Sequence, residues 1–222
     1  MTSPASRLPP PALNGLYAIT SETICADGAR RLVDAVEQAL LGGARLIQYR
    51  DKTTPPALRR RQARLLVGLC HQLNARLIVN DDPTLAAEIG ADGVHLGGSD
   101  ASITEARTLL GPHAIIGASC GRSLDRARVA AGAGADYLAF GRFFASKTKP
   151  QTPQADVQIV PAAKAEFGLP VCAIGGITPD NAAPLIAAGA DLIAAVDGVF
   201  GAQHMRDAAS AYVELFRPPT KR

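Results

Sequence analysis

The sequence predicts a single-domain α/β protein, and within that class a (β/α)8 barrel, or TIM barrel. Eight apolar, strand-like runs alternate with helical patterns along the 222 residues. The runs are continuously apolar, which is typical of parallel strands buried on both faces. A short Gly-Ala phrase also recurs at intervals that each contain two strand–helix units. Together these observations favour a closed barrel.

The recurring phrase joins a helix to a strand at four places. These are 43–46, 90–93, 134–137 and 189–192, at steps of 47, 44 and 55 residues. Four doublets make eight strand–helix units. A doubly wound open sheet is the alternative, but it usually has a glycine-rich turn after its first strand. The stretch Thr20–Thr23 is not such a turn.

Each predicted strand is followed by a predicted helix, and glycines mark several helix ends. The predicted strands are Leu16–Thr20, Arg45–Arg50, Arg76–Asn80, Gly93–Leu96, Ala114–Ser119, Tyr137–Gly141, Val171–Gly175 and Leu192–Val196. The predicted helices are Ala29–Leu41, Pro56–Asn74, Thr84–Ile89, Ser102–Leu110, Leu124–Ala131, Asp156–Phe167, Asn181–Ala188 and Gln203–Leu215.

Composition narrows the function classes. A net charge of +3, from 23 basic and 20 acidic residues, is too balanced to indicate nucleic-acid binding. Tryptophan is absent, and no apolar run is long enough to span a bilayer. We therefore expect neither nucleic acid nor a membrane as partner. The sequence leaves the oligomeric state open, a homo-oligomer included.

The cysteines and the termini complete this outline. Four cysteines at positions 25, 70, 120 and 172 show no metal or redox spacing. This pattern suits a reducing cytosol and predicts a cytoplasmic location. We expect a flexible proline-rich tail over 1–13, a catalytic barrel over 14–216 and a polar tail over 217–222.

Two aspartates are candidate metal ligands. Parallel strands place their carboxyl ends at one edge, so Asp81 and Asp100 are expected to approach each other. Paired carboxylates suit a hard cation, typically Mg²⁺. Alternatively, this region only caps helices, with Asp82-Pro83 beginning one helix and Asp100 capping the next. Asp82, directly before Pro83, is the better cap, which leaves Asp81 for chemistry.

Cations at the same edge point to an anionic ligand, most simply a pyrophosphate. Arg50 can grip phosphate oxygens in a bidentate fork. Lys52 and Lys149 are point charges that can follow a leaving group, whereas Lys147 also fits a solvated loop. No Ser/His/Asp arrangement stands at nucleophile spacing, and His95 is expected to be a satisfied structural histidine. Stabilisation of a departing anion is favoured over hydrolysis.

A second anion site is predicted on the opposite side of the barrel mouth. Gly175 and Gly176 allow backbone N–H groups to approach a ligand closely, and a helix is expected to begin near Asn181. Loops seven and eight are the usual phosphate site of this fold. Alternatively, the glycine pair serves only chain reversal. Ser146 and Thr148 supply hydroxyls between the two anion sites.

Several motifs together resemble the thiamine phosphate synthase family over 16–200. They are Gln48-x-Arg50-x-Lys52, Asn80-Asp81, 93–100, Ser119, 141–149 and 173–177. The resemblance implies Mg²⁺-dependent condensation of 4-amino-2-methyl-5-hydroxymethylpyrimidine diphosphate with hydroxyethylthiazole phosphate. Pyrophosphate would leave first, and the thiazole nitrogen would then attack the pyrimidine carbon.

The resemblance also implies roles for individual residues. The pyrimidine diphosphate would be held by Gln48, Arg50, Lys52, Asn80 and Lys149, with Tyr49, Asp51 and Lys147 in the same substrate-binding set. Ser119 would lie beside the reacting groups, and Asp81 and Asp100 would bind Mg²⁺. The thiazole phosphate would be held by Ser146, Thr148, Gly176, Val196 and Asp197. The catalytic set would be Arg50, Lys52, Ser119 and Lys149.

The sequence departs from the family pattern in three places. Arg142 follows Gly141 where the family usually has proline, and Cys120-Gly121 stands where a histidine is common. Asp197 replaces a usual serine, and a carboxylate beside a phosphate is unfavourable. We expect the Asp197 side chain to cap the following segment while the backbone binds the phosphate.

Three rival functions fit parts of the pattern. A thiazole tautomerase shares the fold and the thiazole phosphate site but has no need of the diphosphate set. A sugar-phosphate isomerase or epimerase needs an acid–base pair across the mouth, whereas the acids here follow adjacent strands. A non-catalytic thiamine-phosphate sensor has less reason to keep a complete set of metal and cation residues.

Overall fold

A closed barrel of eight parallel strands forms the centre of the molecule, which confirms the predicted fold. The computed structural model describes residues 13–98, 102–145 and 153–217. Strands β1 to β8 follow one another around the barrel in chain order. Strand β8 closes onto β1, with Leu16 opposite Ile193. Closure leaves no sheet edge, which rules out the open doubly wound alternative.

Helices alternate with these strands as expected. The strands are β1 Gly15–Ile19, β2 Leu46–Tyr49, β3 Arg76–Asn80, β4 Gly93–Leu96, β5 Ile115–Gly121, β6 Tyr137–Gly141, β7 Val171–Ile174 and β8 Leu192–Ala195. The helices are α1 Glu22–Ala26, α2 Ala29–Leu41, α3 Pro56–Gln72, α4 Pro83–Ile89, α5 Ile103–Leu110, α6 Leu124–Gly132, α7 Ile159–Phe167, α8 Ala183–Ala187, α9 Asp197–Phe200 and α10 Met205–Glu214.

Helices α1 and α9 were not predicted. They contain five and four residues, which is too short for a readable hydrophobic period. Two predicted helices also begin later than expected, α7 at Ile159 and α8 at Ala183. Both unpredicted helices follow a strand at the carboxyl end of the barrel, so each contributes to the mouth.

Apolar side chains pack on both faces of the barrel wall. A small inner cluster includes Ile78 and Ile115, and a larger cluster fills the space between the strands and the helices. Burial on both faces is the reason that the strands read as continuous apolar runs. Within the described ranges, no helix is long and apolar enough to cross a membrane.

The recurring phrase has a structural role at the amino ends of the strands. In three of its four copies an aspartate precedes an even-numbered strand and accepts a backbone N–H from the preceding strand. The pairs are Asp92 with Leu77 at 2.9 Å, Asp136 with Ile116 at 2.7 Å and Asp191 with Val171 at 2.7 Å. Each carboxylate also pairs with a cation, namely Arg76, Arg107 or Lys164. These bonds fasten the barrel on the face opposite the mouth.

We predict that Asp92→Ala lowers the free energy of unfolding by about 3 kcal/mol, because it leaves a buried N–H and a largely buried Arg76 without this carboxylate. The Asp92 side chain is 6% exposed. Urea unfolding measures the change. The matched control is Asp125→Ala, which removes an ion-paired carboxylate that is 90% exposed and should have a much smaller effect. Equal losses in the two variants would contradict the fastening role.

Candidate active site

A cavity of about 590 Å³ opens at the carboxyl ends of the strands, a volume suited to small-molecule ligands. All eight strands contribute to its wall. Nine of the predicted site residues line it: Gln48, Arg50, Lys52, Asn80, Asp81, Ser119, Gly176, Val196 and Asp197. Five others, Asp100, Ser146, Lys147, Thr148 and Lys149, lie outside the described residues, as do 1–12 and 218–222 of the predicted tails.

Asp81 and Lys52 meet at the mouth of this cavity. Lys52 Nζ lies 2.9 Å from Asp81 Oδ2. Asp81 has a φ of 63°, in the left-handed region that a carboxylate residue adopts more readily than most. Its N–H donates to the carbonyl of His95 at 2.9 Å. Asp82, not Asp81, caps α4 by accepting from the N–H of Leu85, which confirms the predicted cap.

Arg50 is held by α1, one of the unpredicted helices. Its Nη1 donates to Glu22 Oε1 at 2.9 Å, and only 16% of its side chain is exposed. The backbone of Arg50 is fixed as well, because its N–H donates to Thr20 Oγ1 and its carbonyl accepts from the same hydroxyl. The guanidinium is therefore oriented before any ligand arrives.

Tyr49 and Asp51 do not reach the cavity, contrary to their predicted role in substrate binding. Tyr49 faces the helices, and its hydroxyl lies 2.7 Å from Gln62 Oε1. The Asp51 carboxylate accepts from the Thr54 hydroxyl and from the backbone N–H groups of Thr53 and Thr54. Burial alone would raise the pKa of Asp51, but these hydrogen bonds outweigh it and hold the pKa below its usual range. Successive side chains on β2 point to opposite faces, which separates Tyr49 from Gln48.

Five polar side chains form a continuous hydrogen-bonded series inside the barrel, which we call the interior chain. Its members are Gln48, Tyr17, Tyr137, His95 and Ser119. Four of them, Gln48, Tyr17, His95 and Ser119, line the cavity, and the buried Tyr137 joins Tyr17 to His95. His95 has hydrogen-bond partners, as predicted, yet it faces the ligand space. Tyr17 and Tyr137 were missed because each lies within an apolar run that reads as core.

Burial determines the protonation of the two tyrosines. Tyr17 and Tyr137 are 1% and 0% exposed. Burial raises the pKa of both hydroxyls above the ordinary value, so both keep their proton at neutral pH. Each hydroxyl therefore has one proton to donate and lone pairs with which to accept.

The glycine pair after β7 allows two loops to approach closely. Gly175 and Gly176 have φ values of 100° and 64°. A Cβ at Gly176 would overlap the carbonyl of Ala145, and one at Gly175 would overlap the Cβ of Arg142. The N–H of Phe144 donates to the carbonyl of Gly175 at 2.9 Å. The pair is therefore required by the packing of the loop after β6, which chain reversal alone does not explain.

The short helix α9 follows β8 at the position predicted for the second anion site. Val196 is its N-cap and Asp197 its first residue. A helix begun by a short segment after β8 is where barrels of this kind commonly bind phosphate. The expected capping by the Asp197 side chain is wrong, because no side-chain cap bond forms there. The exposed Asp197 carboxylate lies in the first turn, where its negative charge interacts favourably with the helix dipole.

The departure at Cys120-Gly121 has a structural explanation. Ser119 pairs with Ala139 and Gly121 with the next residue, so a bulge falls at Cys120. The bulge directs the Cys120 thiol into the helix layer, where burial raises its pKa to about 12. Gly121 and Arg126 both line the cavity, and the φ of 61° at Gly121 favours glycine there. Arg126 and Arg142 are cavity cations that the sequence reasoning missed.

Comparisons with known proteins agree with this geometry. The family described as thiamine monophosphate synthase matches residues 16–199. The thiamine-phosphate synthase of Marinobacter nauticus is 56% identical over 189 residues, covering 85% of this chain and 84% of the relative. That of Thiobacillus denitrificans is 52% identical over 202 residues, covering 91% and 94%.

A solved structure is also similar. Thiamine phosphate pyrophosphorylase from Pyrococcus furiosus superposes with a TM-score of 0.82 at 33% sequence identity, covering 92% of this chain and 96% of that one. The matched region runs from Leu16 in β1 to Val199 in α9. The chain therefore belongs to the thiamine monophosphate synthase family, a family of transferases.

Proposed function

We propose that this transferase joins 4-amino-2-methyl-5-hydroxymethylpyrimidine diphosphate to hydroxyethylthiazole phosphate, giving thiamine phosphate and pyrophosphate. One observation carries the proposal. A single cavity is lined by residues predicted for both substrates, with Arg50 and Lys52 on one side and Gly176, Val196 and Asp197 on the other. A tautomerase has no need of the first group, and a thiamine-phosphate sensor has less reason to keep it.

Gln48 and Ser119 face the space between the two anion sites, where the pyrimidine would lie. Arg50, already oriented by Glu22, would bind the diphosphate through its remaining guanidinium N–H groups. Lys52 would add a second positive charge. At the other end, the first N–H groups of α9 and the loop at Gly176 would hold the thiazole phosphate.

The residues at Asp81 fit a hard cation. Its carboxylate opens on the cavity and already holds a positive group, Lys52 Nζ, at 2.9 Å. We propose that Asp81 and Asp100 hold Mg²⁺, which when bound supplies positive charge to the diphosphate oxygens. Lys52 would then exchange its pairing with Asp81 for the diphosphate.

The reaction needs charge stabilisation more than proton transfer. The bond between the pyrimidine methylene and the diphosphate oxygen breaks, and its electron pair leaves with the pyrophosphate. The thiazole nitrogen then forms a bond to the methylene carbon. Arg50, Lys52 and Lys149 would stabilise the departing anion. The cavity wall would exclude water that could otherwise capture the cation.

The free thiols support the predicted location in a reducing cytoplasm. All four cysteines are buried and none forms a disulfide, namely Cys25, Cys70, Cys120 and Cys172. Cysteines of this kind behave as small core residues and do not require an oxidising compartment.

The proposal is tested by a turnover assay that measures pyrophosphate release and thiamine phosphate formation. We expect release to require both substrates and Mg²⁺, with the two products formed in equal amounts. Thiazole phosphate binding without any turnover would overturn the proposal. It would favour a tautomerase or a sensor.

Asp81→Asn should lower kcat by at least about 100-fold and weaken the dependence on Mg²⁺, because the amide is a poorer ligand for the cation. Asparagine tolerates the positive φ, so the fold should persist. Asp82→Asn is the matched control. It removes a neighbouring charge but keeps a good helix cap, and should change kcat by less than about threefold. Wild-type Mg²⁺ dependence in Asp81→Asn would remove this residue from the metal site.

Arg50→Lys should raise the KM for the pyrimidine diphosphate by at least about tenfold, because lysine keeps the charge but loses the planar fork. The KM for the thiazole phosphate should change little. Steady-state kinetics measure both constants. Arg59→Lys, on α3 outside the cavity, is the control. An equal effect on both substrates would contradict the placement of the diphosphate at Arg50.

A further inference from the structure

The interior chain crosses the barrel through members of five strands. Gln48 Nε2 lies 2.7 Å from the Tyr17 hydroxyl, which lies 2.9 Å from that of Tyr137. The Tyr137 hydroxyl lies 2.8 Å from His95 Nδ1, and His95 Nε2 lies 2.9 Å from Ser119 Oγ. Its two ends, Gln48 and Ser119, are both predicted to contact the pyrimidine.

The hydrogen bonds of the interior chain must all run in the same donor-to-acceptor direction. Each tyrosine hydroxyl has one proton, and a neutral histidine has one ring N–H. If Gln48 donates to Tyr17, then Tyr17 donates to Tyr137, Tyr137 donates to Nδ1, and Nε2 donates to Ser119. The hydroxyl proton of Ser119 is then directed to the cavity. If the Gln48 amide is flipped, its oxygen accepts from Tyr17. Every bond in the series then reverses, and Ser119 donates its proton to His95.

Packing holds the interior chain in place. The Tyr137 ring stacks on His95 with centroids 5.6 Å apart, and Tyr17 meets it edge-on at 5.9 Å. Gly117 on β5 makes room for this arrangement, because a Cβ there would overlap the Tyr137 ring. A buried polar series that is satisfied in this way keeps its geometry.

We propose that Tyr17, Tyr137 and His95 are positioning residues that tie the hydrogen-bonding character of Ser119 to the amide orientation of Gln48. The inference rests on the proposed function, in which both ends contact the pyrimidine. A ligand amino group at Gln48 requires the amide oxygen to face the cavity. Gln48 then donates to Tyr17, and Ser119 becomes a donor toward the reacting groups. A pyrimidine with a carbonyl oxygen in place of the amino group sets the opposite direction.

A double-mutant cycle in two backgrounds tests this coupling. Gln48→Ala, Ser119→Ala and their combination are compared by kcat/KM for the pyrimidine substrate. In the wild-type background we expect the double variant to lose at least about tenfold less than the product of the two single losses. In a Tyr17→Phe background, which removes one hydroxyl and keeps the ring, the two losses should multiply to within about twofold.

Tyr49→Phe is the matched control background, because this buried tyrosine lies outside the cavity and forms no part of the interior chain. Coupling should persist there as in the wild type. Circular dichroism checks that Tyr17→Phe is folded. If it is not, Tyr137→Phe interrupts the same series. Coupling that survives the interruption would overturn the inference, because it would then pass through the shared substrate alone.

Failure of the proposed function can be distinguished from failure of the coupling between Gln48 and Ser119. Wild-type turnover without coupling leaves the proposed function intact and removes the role of the interior chain. If the wild type shows no turnover, the coupling is measured from the ¹⁵N shifts of His95, identified by their loss in His95→Gln. Addition of 4-amino-2-methyl-5-hydroxymethylpyrimidine should move His95 toward the form protonated on Nε2 in the wild type but not in Tyr17→Phe. Identical shifts in the two proteins would contradict the inference.

Discussion

Closure of β8 onto β1 is the constraint on which the rest of this structure depends. It places all eight carboxyl ends on one rim and all amino ends on the other. The two rims of the barrel therefore have different roles. Asp92, Asp136 and Asp191 fasten neighbouring strands at the amino ends, while the carboxyl ends carry the cavity. Stability and chemistry are thereby separated within one barrel.

The sequence predicts the strands and the rim residues well because both depend on local patterns. Continuous apolar runs indicate buried parallel strands, and polar residues that follow them must lie at the rim. The failures are of another kind. Helices α1 and α9 are too short to show a period, so the partner of Arg50 and the N-cap at Val196 could not be foreseen.

The second limit on predicting the site from the sequence was the direction in which side chains point within a strand. The carboxyl end of β2 contains both cavity-facing and helix-facing residues, and only the pleat separates Gln48 from Tyr49. Tyr17 and Tyr137 were missed for a related reason. A tyrosine inside an apolar run reads as core until its hydroxyl is seen to have polar neighbours across the barrel. Such contacts join residues 120 positions apart, which no local pattern reports.

In the proposed function the cavity binds one anion at each end and the pyrimidine between them. Arg50 and Lys52 mark one end, and α9 marks the other. A crystal structure with Mg²⁺, pyrophosphate and thiamine phosphate tests this arrangement most directly. We expect pyrophosphate at Arg50 and Lys52, the product phosphate at the N-terminus of α9, and the pyrimidine between Gln48 and Ser119. Pyrophosphate at α9, or a pyrimidine remote from Gln48, would contradict it.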